Sequence, residues 1–475
     1  MNADLMCRID AYVDEVWEDV VADIARLVSF PSLANADAAR PGAPFGAPVR
    51  GALDAALGIA ERLGYEVSDD DGYMGIADIP GERPEQIATI AHVDVVPAGP
   101  GWVTDPFTMV RREGWLLGRG VIDDKGPAVL SLYAGAFLKR EGIVARYTFR
   151  ALLGCDEEVG MTDVHHYLDR HDHPLFLFTP DAEFPVCNAE KGCFGATFTT
   201  AAVPGGLIRS WSGAEATNAI PGESVLELNL DASVLPAPMA NADRISIEPV
   251  AEGVSRIVAH GIGGHASLPE GTVNAIALIV GYLRESGVLG DGAAPVLDLL
   301  ASIHADTAGA GIGIASESAA FGPLTCNAGT IRLVDGDRLE QTIDVRFPDS
   351  ITEADLVSAC EALAGRFGAS VEVSRAKPPF SVDASSPQVQ TLIDIYNDTT
   401  GRDAKPFAMG GGTYARNFKS AVSFGPEDNA LELPAWAGTM HGPNEAAKED
   451  LLREALKMYI RAILELMELE YDEAR

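Results

Sequence analysis

Ile87-Ala88-Thr89-Ile90-Ala91 reads as a short, continuous apolar strand, and His92 and Asp94 follow at its carboxyl end as alternate residues projecting the same way. Two further runs repeat the pattern. Tyr147 to Leu153 leads into Gly154 and Asp156-Glu157-Glu158, and Leu175 to Phe178 delivers Asp181. Three apolar strands ending in ionisable residues predict an open α/β sheet whose carboxyl edge carries the function. Between them, Gly118-Arg119-Gly120 and the turn Asp123-Asp124-Lys125-Gly126-Pro127 precede an apolar helix expected over Ala128 to Lys139, which puts Asp123 at a strand-to-helix junction.

The residues at these ends are metal-ligand types. His92, Asp123, Glu158 and Asp181, joined by His441 in Met440-His441-Gly442-Pro443-Asn444-Glu445, offer imidazole and carboxylate with no thiolate pair at ligand spacing. That mixture suits Zn²⁺ first, with Mn²⁺ or Co²⁺ as alternatives, in a hydrolytic site. Five ligands exceed what one open catalytic ion takes, and a carboxylate can bridge a pair, so two divalent ions are expected. A lone Asp or His at a strand end is usually a cap; only the five together point to a metal site. By contrast His165, His166, His171 and His173 lie on a short polar helix and its exit and read as a solvated face, and Asp69-Asp70-Asp71 reads as an exposed turn.

The segments His92-Val93-Asp94-Val95-Val96-Pro97-Ala98-Gly99, Gly118 to Pro127, Asp156-Glu157-Glu158-Val159-Gly160, Asp181-Ala182-Glu183-Phe184 and Met440 to Glu445 resemble, in order, the motifs of the M20 family of metallopeptidases, most nearly its dipeptidase V type. The resemblance implies a two-metal aminopeptidase-like catalytic domain with an inserted α+β lid domain. It makes Asp123 the bridging ligand, with His92 and Asp181 on one metal and Glu158 and His441 on the other, and a cis peptide bond after Asp123. Glu157 becomes the general base toward a metal-bridged water, and Asp94 the acceptor that orients the His92 ring. From the lid it implies His265, in Gly263-Gly264-His265-Ala266, and Asn218 as oxyanion donors, and Arg346 as the holder of the substrate carboxylate. Gly412 and Thr413, in Gly410-Gly411-Gly412-Thr413, add backbone N–H groups that can receive an anion.

The wider sequence fits this organisation. At 475 residues the chain is too long for one core. The expected division is 1–191 and 384–475 for the catalytic domain and 192–383 for the lid, with lid strands at Phe194–Thr200, Ser224–Leu230, Asn327–Leu333 and Gln341–Arg346, the last two turned at Asp335-Gly336. Lid helices are expected at Asn274–Glu285, Val296–His304 and Glu353–Phe367. A net charge of −35 argues against nucleic acid as a partner. No membrane span or leader is indicated, and six unpatterned cysteines read as reduced thiols of a cytoplasmic protein, with only Cys187 and Cys193 near enough to suggest a pair. The expected function is metal-dependent hydrolysis of dipeptides or very short peptides by a monomer. The alternatives are an N-acyl amino acid amidase or a carboxypeptidase of the same family, and, remotely, a non-catalytic metal-binding homologue.

Overall fold

The computed structural model describes residues 3–428 and 430–471. The chain forms two compact units, one of Met1–Asn188, Ser381–Phe407 and Gly412–Arg475, the other of Ala189–Phe380 and Ala408–Gly411.

The first unit is built on a mixed sheet around Arg83–His92. Every residue from Ile87 to His92 is buried, as a central strand covered on both faces requires. It runs parallel to Tyr147–Gly154, with His92 opposite Gly154, and to Phe176–Thr179, which in turn pairs in parallel with Ala421–Ser423. Met74–Ile79 and Glu66–Asp70 extend the other side in antiparallel fashion. Helices Ala3–Val28, Ala47–Arg62, Lys125–Glu141, Pro387–Thr400 and Glu449–Met467 share one hydrophobic core with these strands.

Several expected bounds shift for local reasons. Helix Lys125–Glu141 starts three residues before Ala128, because Pro127 falls in the first turn, where its missing N–H costs nothing. Its residues are buried without a break from Lys125 to Leu138. Asp69 and Asp70 belong to strand Glu66–Asp70, and only Asp71, with φ 57°, makes the turn. The histidine segment is a solvated face only at His165. His166 stacks on Tyr73, His171 stacks on Tyr167 and sits 3.2 Å from Asp70, and His173 packs edge-on to Phe418.

The second unit holds two four-stranded antiparallel sheets. One has the order Thr325–Val334, Arg338–Phe347, Gly192–Thr199, Ser370–Lys377, and helix Glu353–Arg366 packs on it. The other has the order Ile208–Ser212, Glu223–Leu228, Val254–His260, Ile245–Ala251, and helices Ala275–Ser286 and Ala294–Ile303 cover it. The hairpin between Thr325–Val334 and Arg338–Phe347 turns where expected, with Asp335 and Gly336 both at left-handed φ, 53° and 82°. None of the six cysteines, Cys187 and Cys193 included, forms a disulfide among the described residues. No helix among the described residues is long and apolar enough to cross a membrane.

Candidate metal centre

The first unit delivers each of the five proposed ligands from the end of an element or a tight turn. His92 is the last residue of its strand, Asp123 and Asp124 precede helix Lys125–Glu141, Glu157 and Glu158 follow Tyr147–Gly154, and Asp181 follows Phe176–Thr179. The Asp123–Asp124 peptide bond is cis. His441 comes from irregular chain and takes a left-handed φ of 59°.

The ligand atoms fall into two groups that share Asp123. His92 Nε2 lies 3.0 Å from Asp123 Oδ1 and 3.9 Å from Asp181 Oδ1. His441 Nε2 lies 2.8 Å from Asp123 Oδ2 and 3.2 Å from Glu158 Oε2. Each oxygen of Asp123 therefore faces a different histidine, the arrangement of a bridging carboxylate. In both groups the ligand atoms all lie within 4.8 Å of one another. Glu157 Oε1 and Glu158 Oε1 are buried with no hydrogen-bond partner. Such oxygens are costly to bury unsatisfied, and cations beside them would remove that cost. These residues fit a pair of divalent ions with N/O preference.

The electrostatics tell the same story. Burial opposes a charge on His92, but its hydrogen bonds with Asp123 and Asp94 outweigh this and hold its pKa well above the histidine range. His441 is pushed up to about 11, its partial burial again overcome by hydrogen bonds to Asp123 and Glu158. Asp123 is desolvated yet held below the carboxylate range by the two histidines. Burial, followed by neighbouring carboxylates, raises Glu157, Glu158 and Asp181. Without cations, protons carry the positive charge that this concentration of carboxylates demands.

The surroundings add groups that the sequence did not single out. His92 Nδ1 donates to the Asp94 backbone carbonyl at 3.0 Å and lies 3.4 Å from the Asp94 carboxylate. With Nδ1 so engaged, Nε2 is the ring nitrogen that faces Asp123 and would be free to bind a cation once deprotonated. The Asp94 carboxylate accepts the backbone N–H groups of Glu157 and Glu158 at 3.3 and 3.2 Å, so it holds the turn that carries both glutamates. Asp124 Oδ2 accepts the backbone N–H of His92 at 3.0 Å. Asp163 accepts from the amides of Cys155 and Asp156 at 2.6 and 3.0 Å and from the Tyr414 hydroxyl, bracing the same turn from below. Asp163 stands in no recognisable motif, so nothing in the sequence pointed to it.

Residues 88–465 match the family model described as peptidase family M20/M25/M40. The chain belongs to that family. With the two ligand groups above, this makes it a metal-dependent peptide hydrolase. The M20 peptidase is 31% identical over 463 residues to "Putative dipeptidase YtjP" of Bacillus subtilis (strain 168), covering 94% of this chain and 97% of that one. It is 29% identical over 462 residues to the Beta-Ala-Xaa dipeptidase of Lactobacillus delbrueckii subsp. lactis, covering 94% and 96%. Its fold is similar to that of human carnosine dipeptidase 1, with a TM-score of 0.58, 15% identity and coverage of 98% and 99%.

The remaining candidates of the M20 peptidase lie mostly in the second unit. Asn218 and His265 are brought together there. The strand pair Ala219–Ile220 and Gly264–His265 sets Ala219 opposite His265, and the Asn218 carbonyl accepts the Ala266 N–H at 2.8 Å. His265 is exposed, with Nδ1 2.7 Å from Ser267 Oγ. Arg346 is buried: it pairs with Asp344 at 2.8 Å and donates to Cys193 Sγ at 3.0 Å and to the Gly410 carbonyl at 2.9 Å. Gly412 and Thr413 belong to the first unit, where Thr413 is buried and caps the short helix Tyr414–Asn417 by accepting the Ala415 N–H.

Proposed function

We propose that this peptidase is a dipeptidase that uses two divalent cations, Zn²⁺ by preference, to hydrolyse dipeptides or very short peptides as a cytoplasmic monomer. The observation that carries the two-cation reading is the division of Asp123, one oxygen toward His92 and Asp181 and the other toward His441 and Glu158. Full-length similarity to proteins named as dipeptidases supports the substrate class.

In this reading His92, Asp123 and Asp181 would hold one cation and Asp123, Glu158 and His441 the other, and such a pair would supply polarisation of the peptide carbonyl and a lowered pKa for water. Glu157 is the general base. Its buried, unpartnered Oε1 is placed by the turn that Asp94 anchors, accepts a proton from the attacking water and returns it to the leaving amine. Asp94 fixes the His92 tautomer through its carbonyl and the glutamate turn through its carboxylate. The roles of Asn218 and His265 toward the oxyanion and of Arg346 toward the substrate carboxylate rest on the family resemblance, and that of Gly412 and Thr413 on the backbone N–H groups their glycine-rich loop can present to an anion.

A substrate panel tests the reading: initial rates on a dipeptide, a tripeptide and an N-acyl amino acid, before and after chelation. The proposal expects fastest turnover of the dipeptide, with loss on chelation and recovery on adding Zn²⁺ or Mn²⁺. Preference for the N-acyl amino acid would make the protein a deacylase, and preference for longer peptides a carboxypeptidase.

A further inference from the structure

We infer that the buried ion pair Arg119–Glu445 is a positioning device for the metal centre, setting the bridging Asp123 and the loop ligand His441 for the cation they share with Glu158. The inference rests on the two-cation reading above. Both residues sit in motifs flanking the ligands, and neither carries a role in the reaction.

The pair is almost wholly enclosed: the side chains are 1% and 0% exposed, with Arg119 Nη1 2.5 Å from Glu445 Oε2. The other carboxylate oxygen, Oε1, accepts backbone N–H groups from Gly120 at 2.9 Å, Ile122 at 3.2 Å and Asp123 at 3.4 Å. The backbone carbonyl of Glu445 accepts the Gly118 N–H at 3.0 Å. A residue of the His441 loop thus serves as the anion around which the turn bearing Asp123 closes. Arg119 completes the connection. Its Nη2 lies 3.1 Å from the His441 carbonyl, 3.3 Å from that of Gly442, and 3.4 and 3.5 Å from those of Pro97 and Ala98, just beyond Asp94. One guanidinium, borne by the segment that carries Asp123, therefore touches two further segments that carry ligands or their supports.

The two cation sites do not depend on this pair equally. His92 and Asp181 are fixed by ends of the central sheet. His441 has no such frame: no helix or strand lies among the described residues between Glu427 and Ala446, and its own φ is left-handed. Loosening the pair should therefore weaken the Asp123–Glu158–His441 site and leave the other nearly intact.

The test is stepwise Zn²⁺ titration of metal-free protein, comparing wild type, Glu445→Gln and the double variant Arg119→Met/Glu445→Gln. The double variant leaves no buried charge unpaired, which guards against simple unfolding, and thermal unfolding in excess Zn²⁺ reports whether each variant keeps its fold. The expected result is a first binding constant within about twofold of wild type, a second weakened about 10–100-fold, and dipeptide hydrolysis restored by excess Zn²⁺. Wild-type constants at both steps in the double variant would overturn the inference alone. So would equal weakening of both steps, or loss of the fold in the double variant, since the pair would then be a general structural element. Fewer than two Zn²⁺ bound by wild type would sink the two-cation reading, and the inference with it.

Discussion

Adjacent Glu157 and Glu158 lie in one turn but meet different atoms: Glu158 Oε2 contacts His441, whereas Glu157 Oε1 contacts nothing within hydrogen-bond reach. Glu157→Ala is therefore expected to keep both metals and lower kcat by about 10²–10⁴, whereas Glu158→Ala should lose metal together with rate. Metal analysis beside steady-state kinetics separates the two, and a near-normal rate for Glu157→Ala would reverse the assignment. His265→Ala should lower kcat more than it raises KM, as a transition-state donor does, by about 2.7–4 kcal/mol. Arg346→Ala should act mainly on KM; small, equal effects of the two substitutions would remove both from the substrate site. At this scale the candidate ligands were legible because each stands in a motif, His92, Glu158 and Asp181 at or after strand ends and Asp123 and His441 in turns. What Asp94 holds was not, because the amides it accepts lie 63 and 64 positions away. Nor was the Arg346–Asp344 pair, since a strand-end arginine reads as a surface charge until the fold buries it.

Among elements, apolar runs such as Ile87–Ala91 and Tyr147–Leu153 predicted strands because central parallel strands are apolar on both faces. Strands Ile245–Ala251 and Ser370–Lys377 went unread. Most of their residues are exposed, so no buried face imposes the alternation that marks a strand. Helix Ala294–Ile303 contributes a pH-sensitive feature through the histidine that follows it. The partly buried His304 is held down at about 4 by burial, despite a 3.2 Å contact with Gln341. A histidine with a folded pKa below its unfolded value of about 6.5 binds fewer protons when folded. Its contribution is thus present above about pH 6.5 and is lost as pH falls toward 4, a cost of the order of 1–3 kcal/mol after discounting for partial exposure. Thermal melts between pH 7 and 4 should show His304→Gln less acid-sensitive than wild type; parallel curves would contradict this.

For the whole molecule, the sequence suggests an insertion because motifs of one catalytic unit are interrupted by a long stretch that lacks them. It missed the return of Ala408–Gly411 to the second unit, since a glycine run carries no mark of the core it joins. The inserted stretch is long enough for two α+β halves, and the net charge of −35 opposes self-association. Activity per chain should accordingly be independent of protein concentration, and inactive His265→Ala mixed with inactive Glu157→Ala should recover nothing. Restored activity in the mixture would reveal a shared site and an obligate dimer. The central claim is that Asp123 joins two cations in one hydrolytic centre. It is tested most directly by following dipeptide hydrolysis as metal-free protein is titrated with Zn²⁺. The account predicts that the rate climbs to a plateau at two equivalents per chain; full activity without metal, or a plateau at one equivalent, would contradict it.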